Sequence, residues 1–261
     1  MVERQRLLSG FKGEEREILA RALDLAENVE RFQQPQYTDF FDPYHAGLII
    51  SALSGHSLVR LAASGGYPAA ERRRVVMCPD YWEPEDFTDC FTVLLAKGSF
   101  GNSRPSHRDY LGSLLALGLK RGKLGDIIVN GDSAYMVVDI GVSSFIRSNL
   151  VRVSRWEVCL EEVSPEEIIF PQKEYREINA AVASLRLDSV SASGFGLSRS
   201  KTAAMISSGM VQLNWKTITD VSCQVKEGDT ISFKGRGRVE VSGVKGLSRS
   251  GRIFVTLKRI L

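Results

Sequence analysis

Two short apolar runs, residues 126–129 and 134–139, meet at Asn130-Gly131. That dipeptide between strand-like runs is a strong signal for a two-residue hairpin, because both residues tolerate the positive φ that the tight turn requires. The hairpin constrains what can surround it. A strand over 90–96 and a helix near 108–117 precede it, and a helix near 142–150 and a strand over 155–161 follow. The order is β-α-β-β-α-β, the ferredoxin-like, RRM-like split arrangement.

Upstream the period changes. Ile18, Leu19, Ala22, Leu25, Ala26 and Val29 recur at helical spacing with charges on the opposite face, predicting a helix over 14–30. Asp42-Pro43 reads as an N-cap followed by Pro in the first turn, opening a helix to about Leu53 that Ser54-Gly55 stops. Leu58-Val59-Arg60-Leu61 and Arg73-Arg74-Val75-Val76-Met77 then read as strands about a turn region with Gly65-Gly66 and Pro68. The expected organisation is α+β: a helical N-terminal unit (1–56), the ferredoxin-like domain (57–163), a polar linker with Pro171 (164–183) and a last domain (184–261).

That last domain differs in charge. Residues 1–179 hold 21 Lys and Arg against 26 Asp and Glu, a balance of −5, whereas residues 180–261 hold 13 against 5, a balance of +8. So basic an end on an otherwise acidic chain points to a polyanionic partner. Arg186-Leu187-Asp188 opens a short helix expected to end at Gly194. Ser198 caps a second helix, with Ala203, Ala204 and Ile206 as its apolar face and Gly209 as its stop. Val211 and Leu213 form a strand, Asn214-Trp215-Lys216 a turn, and Lys226-Glu227-Gly228-Asp229 another before the strand 230–233. Arg199 and Lys201 stand at the start of the second helix, where backbone N–H groups and the helix dipole already favour a phosphate.

These residues carry a resemblance. Arg-Leu-Asp, Ser-Arg-Ser a dozen residues on, Gly-x-Val-x-Leu-Asn and Val-Lys-x-Gly-Asp resemble the S4 (αL-motif) RNA-binding domain over nearly the whole of 185–233. Trp215 departs from it, standing where Gly usually follows Asn. It alters the turn, offers a surface for a base, or packs. Upstream, Gly65-Gly66-Tyr67, Ala70-Glu71-Arg72-Arg73, His107-Arg108-Asp109-Tyr110-Leu111-Gly112, Leu117-Gly118-Leu119-Lys120-Arg121 and Gly125-Asp126-Ile127 resemble the YlmH family. Cyanobacterial and plastid members of that family are labelled photosystem II S4 domain proteins.

The resemblance implies an RNA-binding protein of the bacterial cytoplasm, or of the plastid in plant relatives. It further implies a place on the large ribosomal subunit, with rRNA or tRNA as partner, in ribosome-associated quality control. Within this reading the contacts expected to RNA are Arg186, Ser198, Arg199, Lys201, Asn214, Trp215 and Lys216. Arg249 and Arg252, near the tip of a hairpin expected over 238–244 and 252–258, are contacts or merely solvated charges. Arg72, Arg73, His107, Arg108, Lys120 and Arg121 form a second candidate surface.

Other chemistries find little support in the sequence. His107-Arg108-Asp109 imitates a kinase tripeptide, but no Asn follows at the required spacing and no glycine-rich loop or Asp-Phe-Gly is present. Arg186-Leu187-Asp188 resembles the catalytic tripeptide of pseudouridine synthases, but only 73 residues follow Asp188, too few for their catalytic domain. The alternative readings are an RNA-modifying or RNA-processing enzyme with its site within 57–163, and a photosystem II assembly or accessory factor. The four cysteines are scattered without a Cys-x-x-Cys pair or nearby histidines, predicting buried free thiols and no zinc site. His45 and His56 read as structural. No apolar run is long enough to span a membrane. A monomer with no cofactor and no metal is expected.

Overall fold

The computed structural model describes residues 2–55, 59–83, 89–101, 103–172, 174–247 and 251–260. The chain divides into two compact units, Met1–Pro171 and Gln172–Leu261.

The first unit begins with α1 (Val2–Ser9), α2 (Gly13–Phe32), β1 (Gln36–Tyr37), α3 (Pro43–Leu53), β2 (Val59–Ser64) and β3 (Arg74–Pro79). The apolar stripe of α2 buries Ile18, Leu19, Ala22, Leu23, Ala26 and Val29. These pack with Ala46, Ile49 and Leu53 of α3 and with Val75 and Met77 of β3. Asp42 caps α3, its carboxylate accepting from the His45 N–H at 2.9 Å, while the His45 ring also bonds Asp42. The three strands pair antiparallel in the order β1-β3-β2.

The ferredoxin-like part follows: β4 (Phe91–Lys97), α4 (His107–Ala116), β5 (Leu124–Asn130), β6 (Ser133–Asp139) and α5 (Ile140–Asn149). A small hairpin, β7 (Arg152–Val153) and β8 (Trp156–Glu157), precedes β9 (Cys159–Val163). The sheet order β5-β6-β4-β9 is antiparallel throughout, as β-α-β-β-α-β connectivity requires. The expected hairpin is present one residue later. Asn130 pairs with Ser133, so Gly131 and Asp132 make the loop.

β3 joins the two parts. All six of its residues are buried, as a strand covered on both faces must be. Val75 and Met77 face α2 and α3, whereas Val76 packs with Phe40, Phe91, Val93, Leu95, Tyr135 and Val137. The strands expected within a domain starting at residue 57 therefore complete the N-terminal helical part. A unit of helices alone would leave α2 and α3 without the sheet that buries their stripes. Buried Arg74 reinforces the junction: it pairs with Asp139 at 2.9 Å, donates to the carbonyls of Thr38 and Cys90, and lies over the Tyr37 and Phe40 rings.

The second unit opens with β10 (Tyr175–Val182), then α6 (Leu187–Phe195), α7 (Arg199–Ser207), β11 (Val211–Leu213), β12 (Lys216–Thr217), β13 (Thr230–Phe233), β14 (Gly237–Leu247) and β15 (Ile253–Ile260). The strands form one sheet in the order β10-β15-β14-β13-β11-β12. Residues 175–182, expected in a linker, instead pair along their whole length with β15. Leu187, Val190 and Phe195 of α6 and Ile206 of α7 bury against Val239, Val241, Val255 and Leu257. Gly194 does not end α6. It lets the helix approach the sheet, since a Cβ there would lie 3.0 Å from Val239 and 3.3 Å from Leu257. The stop is Gly196, at φ 65°, where a side chain would be strained.

Cys78 and Cys90 are buried as expected, but Cys159 is exposed and Cys223 half-buried. His56 and Arg249 lie outside the described residues.

Candidate nucleic-acid interface

The starts of α6 and α7 differ in what their backbone donors meet. In α6 the N–H groups of Leu187 and Asp188 donate to the carbonyls of Cys223 (2.8 Å) and Val221 (3.3 Å). That helix start is closed by protein. In α7, Ser198 accepts from the Lys201 N–H at 3.3 Å, and Ser198, Arg199, Ser200 and Lys201 are all exposed. The positive end of the α7 dipole therefore faces outward with two cationic side chains on it.

Asp188 organises this surface. Its side chain is 9% exposed and accepts from Arg186 Nε at 3.1 Å and Arg199 Nη2 at 2.8 Å. Burial pushes its carboxyl up, but the bonds from Arg199 and then Arg186 outweigh burial and hold it below the usual carboxylate range. One carboxylate thus gathers two guanidinium groups, one from each helix start, and cancels one of their charges. Each arginine has five N–H donors and gives one to Asp188, leaving a fork suited to phosphate oxygens. The sequence carried the signal in Arg-Leu-Asp and Ser-Arg, but which Arg meets Asp188 depends on how α6 and α7 pack.

Asn214 and Trp215 form the two-residue turn between β11 and β12, with Leu213 paired to Lys216. Both have positive φ, 49° and 66°. Asn tolerates that conformation, whereas a bulky side chain there costs on the order of 1–2 kcal/mol relative to Gly. Asn214 is exposed, but its side chain is already engaged by the protein. Its side chain accepts from Thr230 N–H at 2.8 Å and donates to Asp229 at 2.8 Å, tying this turn to the one before β13. The Trp215 ring is partly exposed, with the Arg238 guanidinium 5.6 Å from its centroid. Lys216 and Arg252 are exposed.

The second candidate surface divides. Arg72 donates to the carbonyls of Leu124 (2.9 Å), Phe40 and Arg121. Arg73 donates to Ala70 (2.7 Å) and Pro68. Arg121 donates to Leu124 and Gly125, and burial, with Arg72 alongside, pushes its pKa down to about 10. These three hold the unit together. His107, Arg108 and Lys120 are exposed. Asp109 accepts from both the N–H and the hydroxyl of Ser106 at 2.7 Å, closing the start of α4, and those bonds hold its carboxyl below the ordinary range.

An RRM-like sheet ordinarily reads RNA with the face opposite its helices. Here that face, carrying Phe91, Val93, Leu95, Tyr135 and Val137, is buried with Phe40, Val76 and Ile168. The face that an RRM ordinarily uses is thus closed to RNA in this unit. Among the described residues no group of three or more His, Cys, Asp or Glu could hold a metal ion. No helix among them is long and apolar enough to cross a membrane.

A cationic double-helix start on a compact α+β unit defines an RNA-binding protein of the S4 class. Three family models match: "YlmH, N-terminal" over residues 14–82, "Putative RNA-binding domain in YlmH" over 94–167 and "S4 domain" over 185–231. The chain is 34% identical over 252 residues to the "Ribosome-associated protein quality control protein P2" of Bacillus subtilis (strain 168), covering 95% of this chain and 96% of that protein. The chain belongs to the YlmH family. The solved "Cell division protein ylmH from Streptococcus pneumoniae" shares the fold, with a TM-score of 0.50 at 24% identity over 61% of this chain and 97% of that one.

Proposed function

We propose that this protein docks structured RNA, rRNA or tRNA on the large ribosomal subunit, through Arg186, Arg199 and Lys201, and serves ribosome-associated quality control without catalysing a reaction. The observation that carries the site is the pairing of Arg186 and Arg199 on buried Asp188 beside the exposed start of α7. Pre-positioned guanidinium groups lose less freedom on binding phosphate, which favours docking over loose electrostatic attraction. The name of the Bacillus subtilis relative, aligned over nearly the whole chain, supports the ribosomal setting and with it a cytoplasmic location. Monomeric action suits a face supplied entirely by one chain. The non-catalytic reading is supported by Asp109, whose low-lying carboxyl closes a helix and makes a poor general base at neutral pH. The resemblance to the cyanobacterial and plastid branch concerns ancestry and adds no chemistry to this site.

Salt titration of RNA binding tests the docking. Four or five phosphates neutralised by these residues together with other cations of the C-terminal unit give a slope of log K against log salt of about −3 to −4, and a flat dependence would overturn the reading.

A further inference from the structure

Burial alternates along the strands of the C-terminal sheet. Val211, Ile231, Phe233, Val239, Val255 and Leu257 are buried in the core with α6 and α7, and the residues between them lie on the other face. On that outer face one cross-strand row runs from Gln212 through Ser232, Arg238 and Ile260 to Tyr175. Tyr175 and Ile260 are 52% and 40% exposed, and Phe254 on the same face is 47% exposed. Two aromatic rings are paired with cations there: Trp215 with Arg238, and Tyr175 with Lys258 Nζ at 5.0 Å. The β13–β14 turn beside Arg238 adds exposed Lys234 and Arg236.

Trp215 also occupies a left-handed backbone position that Gly would take without strain, and its ring is partly exposed beside Arg238 and not part of the buried core. We propose that this outer sheet face is a stacking platform for unpaired bases of the bound RNA, with Trp215 as the main aromatic surface, Tyr175 as a second, and Arg238, Lys234 and Arg236 facing the adjoining phosphates. A base–aromatic stack needs a base already out of its helix, so the platform selects bulged or single-stranded nucleotides, whereas the Arg186–Arg199–Lys201 face meets backbone phosphates of any duplex. The inference rests on the RNA-docking reading and adds a second face with a different chemical preference.

The test uses the full-length protein and two RNAs: a blunt duplex, and the same duplex with one bulged nucleotide replaced by 2-aminopurine. Wild type binds the bulged RNA more tightly and quenches the 2-aminopurine emission. Trp215→Leu and Trp215→Gly bind it roughly 5- to 150-fold more weakly, the range of one lost base–aromatic stack, with duplex affinity unchanged. Trp215→Phe keeps most of the preference and the quenching, which a packing role for the side chain would not predict. Trp215→Gly restores an Asn-Gly turn, so circular dichroism and the urea midpoint show a fold at least as stable as wild type. A wild type indifferent to the bulge, or a preference that survives Trp215→Leu, overturns the platform. Charge reversal at Arg199 and Lys201 reports on docking separately, because it weakens both RNAs alike.

Discussion

Replacing Asp188 by Asn removes the negative charge that holds Arg186 and Arg199 while keeping the side chain's size. Two bonds to a charged group are affected, at 3.1 and 2.8 Å. Such bonds contribute about 1.5–3 kcal/mol each when well shielded. The arginine side chains are 38% and 56% exposed, so water recovers much of that. Discounting for this screening leaves about 1–3 kcal/mol lost from the C-terminal unit. For a unit of this size that lowers Tm by roughly 4–20 °C. The effect has a defined pH signature. Because the Asp188 carboxyl is held below its ordinary range, its stabilisation is complete above the unfolded-state value of about 3.9 and is lost as pH falls through the lower folded value. The gap between wild type and Asp188→Asn should be full at pH 7 and should close below about pH 4. Urea unfolding followed by NMR cross-peaks of β13–β15 amides reads this unit by itself, which a chain of two units requires. An unchanged midpoint at pH 7, or a gap undiminished in acid, would refute the role given to Asp188.

Asp139→Ala leaves buried Arg74 without its carboxylate and should destabilise the first unit by about 3–5 kcal/mol, measured as a urea midpoint, with RNA affinity unchanged in the folded protein. Gly194→Val places methyl groups where a Cβ alone would already lie 3.0 Å from Val239. It should lower C-terminal stability by about 1–3 kcal/mol, as overpacking does, and denaturant titration would show it.

Much of the C-terminal unit was legible because its signals are local. Ser198 caps α7 through its own hydroxyl, Gly209 ends that helix at positive φ, and β13 spans the expected residues. Asn130-Gly131 marked the middle hairpin to within one residue for the same reason. The errors are nonlocal. Nothing adjacent to residues 175–182 says that β15, more than seventy residues away, will pair with them, and their charges read as linker. The double burial of β3 depends on two cores meeting across it, although Val75-Val76-Met77 is a continuous apolar run. Arg72 and Arg121 read as surface cations, because sequence cannot count the carbonyls that will surround a guanidinium. Trp215 stood out as a departure from an expected Gly, but its pairing with Arg238 required the sheet.

The most direct test of RNA docking through α7 is the affinity of full-length Arg199→Glu/Lys201→Glu for large ribosomal subunits, measured by co-sedimentation across a salt series. Turning two attractions into two repulsions should weaken binding on the order of 100-fold or more and reduce the salt slope by about 2. Circular dichroism should show a folded protein of lowered stability, since Arg199→Glu also removes the bond to Asp188. Lys201→Glu alone separates the loss of charge from the loss of that bond. A folded double variant with wild-type affinity and slope would contradict the account and move the RNA surface away from α7.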